Sequence, residues 1–370
     1  MKKVALFIHS LRFGGAEKIV SLLLKNRDYK LFLCLIENKI QYDIDKTDNI
    51  IYFEKEYKTN NKIVNFIKIF LYAYRYKKFC NKNKIDCSIS FLTRPNLTSI
   101  ISKFFGNRSK IIVSEHSLPM VWYGNKSFKS FLAKSLIKMF YNHADEIIAV
   151  SDGVKEDLKR LGIREEKIKV VYNFIDKDKI DKKKLEKVDD LKFDKFTFVT
   201  IGRLDNEKNH QLIIKAMKKL SDNTQLLIIG DGELKDELIR LIDVLNLKDR
   251  VFLIGFRENP YKYLYNSHCF ILSSKHESFG IVLLEAMVCN LPIISTDCPV
   301  GPREILSKNK DLFYEKFFCA DYGILVQNGD EDGLVSAMKK IYEDIELRKK
   351  YGSFKNSSTI SFKRNGGVFQ

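Results

Sequence analysis

Two carboxylates eight positions apart, Glu277 and Glu285, stand in the run HESFGIVLLEAM, residues 276–287. Glu277 precedes a Ser-Phe-Gly turn, and Glu285 falls inside the apolar helix that follows. Backbone N–H groups at the start of that helix, near Phe279 and Gly280, can bind phosphate, because a helix begins with unpaired donors and the positive end of its dipole. A carboxylate about one and a half turns further in can grip vicinal ribose hydroxyls. The plain alternative is an acid near a helix start and a second acid buried within it, with no ligand.

A basic pair lies upstream. In GRLDNEKNH, 202–210, Arg203 and Lys208 sit on a loop just past an apolar strand. Two cations there can neutralise a leaving diphosphate, where negative charge builds as a glycosidic bond breaks. A solvated loop with two surface charges is the alternative. GDGEL, 230–234, also follows a strand, and its glycines allow close backbone approach, although a simple turn would need them too. In FGGAEK, 13–18, Gly14 and Gly15 would let the backbone approach phosphate or acceptor. This is not GxGxxG, so no nicotinamide cofactor is indicated. His116, in SEHS, ends a strand; by itself it reads as a histidine with a local hydrogen bond.

The elements that must hold these residues alternate. Apolar runs at 4–9, 31–36, 86–91, 110–115 and 146–151 read as strands, separated by amphipathic stretches at 16–26, 62–82, 96–105, 127–142 and 152–161. That is a βαβ series, hence an α/β unit with a parallel sheet covered on both faces. A second series starts at 196, with strands at 196–201, 225–230, 250–255, 269–274, 292–297 and 323–327. Helices fill the gaps at 209–220, 232–246, 260–266 and 280–289, and a last one is expected near 330–349. Between the series, 176–195 is dense in charge and reads as a linker with some helix. The expected domains are 1–175 and 196–349. A poorly ordered tail is expected over 350–370. Two such sheets would face a cleft, with ligands beyond the carboxyl ends of the strands.

Composition narrows the class. The net charge is +17, and it is concentrated: residues 1–150 hold 26 Lys/Arg against 12 Asp/Glu, and 61–140 hold 15 against 2. Such asymmetry points to an anionic partner for the first half, with nucleic acid, anionic lipid and a diphosphate-bearing substrate as candidates; a lysine-rich surface that serves only solubility is the alternative. The seven cysteines include no CxxC pair, which argues against a zinc site or a disulfide framework and for a reducing compartment. No run is long and apolar enough to span a bilayer, and the start reads as a first strand rather than a signal peptide. Residues 62–82 and 126–142 mix Phe, Ile, Leu and Tyr with Lys at helical spacing, so they can lie on an anionic membrane surface. A core-packing helix with a basic outer face is the alternative. No recognised nucleic-acid motif accompanies the basic half, so nucleic acid is not an expected partner.

Taken in order, the glycine pair, the GRL…EK…H loop, GDGEL, the Gly255–Phe256 pair and the E-x7-E motif resemble a retaining glycosyltransferase of family 4, with the GT-B fold. The resemblance covers roughly residues 1–349, and it implies that 1–175 is the acceptor-binding half and 196–349 the nucleotide-sugar-binding half. It implies that Arg203 and Lys208 bind the donor diphosphate, that Glu285 holds the ribose, and that Glu277 contacts hydroxyls of the transferred sugar. It places Phe256 and Arg257 near the base, Gly15 near the diphosphate, and His116 beside the sugar as the active-site histidine. It further implies metal-independent transfer with retention, the leaving diphosphate itself taking the acceptor proton. TDCPVGPREIL, 296–306, with Pro299, Gly301 and Pro302 fixing a turn, resembles bacterial members that build lipid-linked oligosaccharide, capsule or lipopolysaccharide. The expected partners are a nucleotide diphosphate sugar, UDP favoured over GDP, and a polyprenyl-linked saccharide. The expected location is peripheral, on the cytoplasmic face of the inner membrane. Such members end with a helix crossing back to the first domain. The Ser-, Asn- and Gly-rich tail does not look like one, so 330–349 is the candidate. A sugar-nucleotide epimerase on the same fold, or a basic nucleic-acid or membrane adaptor without turnover, is the competing reading.

Overall fold

The apolar runs become strands buried on both faces, as a parallel sheet between helical layers requires. The computed structural model describes residues 1–26, 28–42, 44, 49–54, 62–122, 128–298, 300–309 and 312–353. The chain divides into two units between Phe174 and Ile175.

The first unit contains β1 (Lys3–Ile8), α1 (Gly15–Leu23), β2 (Lys30–Leu35), β3 (Ile50–Tyr52), α2 (Lys62–Asn83), β4 (Cys87–Phe91) and α3 (Thr93–Phe104). It continues with β5 (Lys110–Glu115), α4 (Pro119–Trp122), α5 (Phe128–Tyr141), β6 (Glu146–Ala149), α6 (Asp152–Arg160) and β7 (Ile168–Val170). Its sheet has the order β3-β2-β1-β4-β5-β6-β7, all parallel. The order reverses between β1 and β4, so the loops after these two strands open a crevice at the carboxyl edge. Beneath it, Phe7 stacks on Tyr76 of α2 at 4.5 Å and meets Phe53 at 5.5 Å. The buried Tyr76 hydroxyl is satisfied by Ser88 Oγ at 2.6 Å, as a phenol inside a core must be.

The second unit contains α7 (Lys177–Lys183), β8 (Phe196–Ile201), α8 (His210–Met217), β9 (Thr224–Ile229), α9 (Lys235–Val244), β10 (Val251–Gly255), α10 (Tyr261–Asn266) and β11 (Cys269–Leu272). It ends with α11 (Ile281–Val288), β12 (Ile293–Thr296), α12 (Pro302–Leu306), β13 (Phe317–Cys319), β14 (Ile324–Val326), α13 (Glu331–Glu343) and α14 (Ile345–Gly352). The order is β10-β9-β8-β11-β12-β14-β13, with β13 antiparallel to β14 and the other pairs parallel. The reversal falls between β8 and β11. Arg250 closes the far end of α8. Its guanidinium, nearly buried, donates to the carbonyls of Met217, Leu220, Ser221 and Thr224 and pairs with Asp222. Only the Met217 carbonyl belongs to the helix itself; the others line the turn that leads from α8 into β9, which this one side chain ties together.

Several elements depart from expectation. β3, β7 and β13 are three residues each, too short to show a period. The antiparallel β13 breaks the all-parallel pattern. The segment 176–195 lies along the second unit: α7 packs on α10 and α11, Lys184 Nζ donates to the Val288 carbonyl at 3.0 Å, and Gln225 Nε2 donates to the Lys192 carbonyl at 2.9 Å. The stretch 330–349 is two helices. Asp344 ends α13 and caps α14, accepting from Leu347 N at 2.9 Å, a stop-and-restart that an N-cap aspartate favours. Both helices pack within the second unit, and the buried Tyr351 donates to the Ala320 carbonyl at 2.8 Å. Residues 350–352, assigned to the tail, are therefore helical; 354–370 and Pro299 lie outside the described residues. Among the described residues no helix is long and apolar enough to cross a membrane.

Candidate active site

In the second unit the loops that follow β8 and β11 flank the reversal of strand order. They carry the basic pair and the first carboxylate. Lys208 and Glu277, 69 residues apart in sequence, form an ion pair at 2.5 Å, with side chains 23% and 11% exposed. Ser274 Oγ donates to the same Glu277 oxygen at 2.8 Å. The backbones are joined as well: Lys275 N donates to the Glu207 carbonyl at 2.8 Å, and Ser273 Oγ to the Lys208 carbonyl at 2.7 Å. Spacing alone could not reveal this pairing.

Asp205 shapes the first loop. One of its oxygens accepts from the amides of Glu207 and Lys208 at 3.1 and 3.0 Å, an Asx-type turn. Its other oxygen meets Arg203 Nη2 at 3.1 Å. Arg203 is 66% exposed, so its tip can leave Asp205 for a ligand at little cost. Sequence reading passed over Asp205, although an Asp two and three residues before the amides it caps is a recognisable turn signal. At the loop's end Asn209 takes a left-handed conformation and His210 begins α8. His210 is buried; burial, then Lys208, pull its imidazole down to about 4, and its Nδ1 has no partner.

The glycines of GDGEL serve this loop. A Cβ on Gly230 would lie 1.9 Å from the Gly202 carbonyl oxygen, and one on Gly232 would lie 2.5 Å from that of Leu204. Three backbone bonds of 3.0 Å zip the two loops together, from Gly202 N to Ile229 O, Leu204 N to Asp231 O, and Leu234 N to Leu204 O. The close approach is therefore between backbones of one chain.

The second loop turns at Phe279 and Gly280, where Gly280 (φ +93) caps α11 and Phe279 is buried. Gly301 (φ +91) packs behind it, and a Cβ there would fall 2.5 Å from the Phe279 carbonyl oxygen. Arg303 and Tyr314 both bond Asp297, which ties down the strand-to-helix connection bearing Gly301. Cys298 lies under the loop, 3.2 Å from the Ser274 carbonyl, and burial pushes its thiol up to about 12. Glu285 is 4% exposed, with Tyr261 Oη at 3.4 Å. Phe256 and Arg257 follow the edge strand β10. Phe256 is 44% exposed, whereas Arg257 bonds Tyr263 Oη and Asp190, both at 3.1 Å. His276 Nδ1 and Glu207 Oε2, overlooked in the sequence, are buried without partners in these same loops.

In the first unit Gly14 precedes α1 and Gly15 opens it. Tyr42 braces the turn, its hydroxyl donating to the Gly14 carbonyl at 2.9 Å. Near the β1–β4 reversal, His9 lies 3.3 Å and Arg12 3.1 Å from Glu37. Arg94, at the start of α3, stands over the Tyr72 ring, and its Nη2 is buried without a partner. His116 follows β5. Its Nε2 is 3.0 Å from Ser114 Oγ and its ring 5.7 Å from that of Phe91; burial pulls its imidazole down to about 3.

Two doubly wound units, each with loops gathered at its own switch point and one presenting cations beside a helix start, define a GT-B transferase. Residues 181–357 match the model for glycosyl transferases group 1, and residues 45–179 that for glycosyltransferase family 4. The chain is 37% identical over 354 residues to an N-acetylgalactosamine-N,N'-diacetylbacillosaminyl-diphospho-undecaprenol 4-alpha-N-acetylgalactosaminyltransferase of Campylobacter jejuni, covering 95% of this chain and 93% of the relative. An uncharacterized glycosyltransferase of Methanocaldococcus jannaschii is 31% identical, with 87% and 86% covered. Among solved structures, HepE of Anabaena in complex with UDP and glucose superposes with a TM-score of 0.73 at 20% identity, covering 95% of this chain and 93% of that one. The chain belongs to glycosyltransferase family 4 and is a glycosyltransferase.

Proposed function

We propose that the enzyme transfers a hexose or N-acetylhexosamine, with retention and without a metal, from a UDP-sugar to a polyprenyl-diphosphate-linked saccharide. The observation that carries this reading is the Lys208–Glu277 pair, held at the switch point of the second sheet. There an ammonium and the exposed Arg203 guanidinium can meet a diphosphate, while Glu277 and Ser274 can accept and donate to sugar hydroxyls. Glu285, beside the Tyr261 hydroxyl, is assigned to the ribose, Phe256 and Arg257 to the side of the base, and the 279–280 turn and Gly15 to phosphate. His116, kept neutral by burial, is assigned a hydrogen bond to the transferred sugar rather than proton donation. The departing diphosphate takes the acceptor proton on the same face. UDP as carrier is supported by the UDP and glucose named for HepE, and the acceptor class by the diphospho-undecaprenol named for the Campylobacter relative. The Arg94 Nη2, buried without a hydrogen-bond partner, and the cationic first half suit an acceptor diphosphate.

A lipid-borne acceptor requires a surface to work on. In the first unit Ile67, Leu71 and Tyr74 of α2 and Phe131, Leu132 and Met139 of α5 are exposed, as are Phe104 and Phe105 where α3 ends. Lys77 and Lys78 reach over the Tyr74 ring. We assign this face to the cytoplasmic leaflet, at about 1 kcal/mol per lysine near anionic headgroups. The test is a thermal-shift screen with UDP, GDP and their sugars, then transfer to polyprenyl-diphosphate-linked saccharides with and without EDTA, and sedimentation with anionic and neutral vesicles. Turnover with UDP-sugars that survives EDTA, lost in Lys208→Ala, supports the reading. Absence of transfer from every nucleotide sugar would overturn it.

A further inference from the structure

Among the described residues Glu115 is the one carboxylate at the end of the first sheet that solvent cannot reach: its exposure is 0%. It cannot touch a substrate, yet burying a carboxylate is costly unless hydrogen bonds replace its water. All of its described donors converge on function-bearing segments. Oε1 accepts from His116 N at 3.2 Å, Ser117 N at 3.1 Å and Ser117 Oγ at 2.6 Å. Oε2 accepts from Tyr141 Oη at 2.6 Å. Tyr141, also fully buried, is the last residue of α5, and Asn96 Nδ2 of α3 donates to its hydroxyl at 3.2 Å while also holding the Ser114 carbonyl at 3.0 Å.

The arrangement has a direction. Asn96 can only donate to Tyr141, so the phenol proton is left to point at Glu115. The amides of 116 and 117 can only donate, so Oε1 must accept. Burial raises the Glu115 carboxyl above its ordinary value, and the four donors aimed at it offset part of that push. The carboxylate thereby curls the chain after β5, which sets the His116 ring between Ser114 Oγ and Phe91.

We propose that Glu115 and Tyr141 are positioning residues: they tie the orientation of His116 to the end of α5. The helix that carries the exposed Phe131, Leu132 and Met139 is thus linked through one phenol to the turn that holds the active-site histidine. This rests on the assignment of His116 to the transferred sugar.

The experiment uses the full chain, UDP-N-acetylgalactosamine or the donor chosen by the screen above, and a polyprenyl-diphosphate-linked saccharide. Tyr141→Phe keeps the ring and removes only the donor. It is expected to lower kcat about 10- to 100-fold while leaving donor KM near wild type, the scale of a misplaced reacting group. Glu115→Gln should do the same if it folds; Tyr141→Phe carries the test if it does not. On a His116→Ala background neither change should slow the enzyme further, because residues acting through one another are not additive. In the imidazole nitrogen spectrum Tyr141→Phe should move the His116 signals and leave those of His210 in place. Unchanged kcat in Tyr141→Phe, or losses that add fully to that of His116→Ala, would overturn the inference while leaving the role of His116 intact. Wild-type turnover in His116→Ala alone would instead remove the assignment of His116, and the inference with it.

Discussion

Gly232→Ala isolates the contact between the two loops of the second unit. Gly232 needs no left-handed backbone, so the change adds one methyl group and no dihedral strain. That methyl would stand 2.5 Å from the Leu204 oxygen and 2.7 Å from its nitrogen. To reach an ordinary contact near 3.4 Å the 202–204 backbone must retreat by about 0.9 Å. Backbone cannot yield as a side-chain end can, so the cost is of the overpacking kind, about 1–3 kcal/mol. For a unit of this size that lowers Tm by about 3–10 °C. The larger effect should be functional. Arg203 lies inside the displaced segment and Lys208 a few residues on, so a shift approaching 1 Å is expected to cost about 100-fold in kcat/KM. Differential scanning fluorimetry, UDP titration and donor turnover measure the three quantities. A Gly232→Ala protein with lowered Tm but wild-type UDP affinity and turnover would refute the reasoning, since it would separate the loop contact from the cations it carries.

The remaining predictions use the same assays. Lys208→Ala should abolish transfer, and it should also destabilise by about 1–3 kcal/mol, because Glu277 would be left largely buried with Ser274 as its remaining described partner; Glu277→Gln should lose activity with a smaller change in Tm. Gly301→Ala adds a left-handed backbone penalty to a 2.5 Å clash with the Phe279 carbonyl, so UDP affinity should fall with little effect on the first unit, readable by titration calorimetry. Folding stability should drop on acidification from about pH 6.5 to about pH 4. His116 and His210 hold folded values of about 3 and about 4, below the ordinary 6.5, so in that window the unfolded chain binds protons that the folded chain refuses. Each contributes a slope of up to about 1.4 kcal/mol per pH unit, and urea titrations of His210→Asn should show the slope reduced.

The alternation of apolar runs with amphipathic stretches made the two α/β series readable, because strands buried on both faces cannot hide their composition. The same logic fails for Ile50–Tyr52, Ile168–Val170 and Phe317–Cys319, where three residues carry no period. It also fails at Asp344, whose cap interrupts a stretch that is helical on both sides. Arg203, Lys208 and Glu277 were legible as types beside strand ends, but the ion pair across 69 residues follows only from strand order. The glycines of GDGEL signal a close approach or a turn, but their partner, the Gly202–Leu204 backbone, is hidden because nothing local specifies which neighbouring loop they meet. Glu115 and Tyr141 left no mark at all, since a buried acid inside KIIVSE looks like any strand terminus.

The two sheets share one wiring diagram over their first five strands; in the second, the last two strands exchange places and the outer one runs antiparallel. Each half has its own apolar interior, one around Phe7, Tyr72 and Tyr76 and the other around Phe198, Ile213 and Ile271. Substitutions confined to the core of one half are expected to leave the packing of the other core in place, because distant sites with no shared partners act independently. On the proposed division of labour, a lineage built this way can exchange what receives the sugar while conserving how the sugar is delivered, and hybrid enzymes spliced between Phe174 and Ile175 would be the direct test.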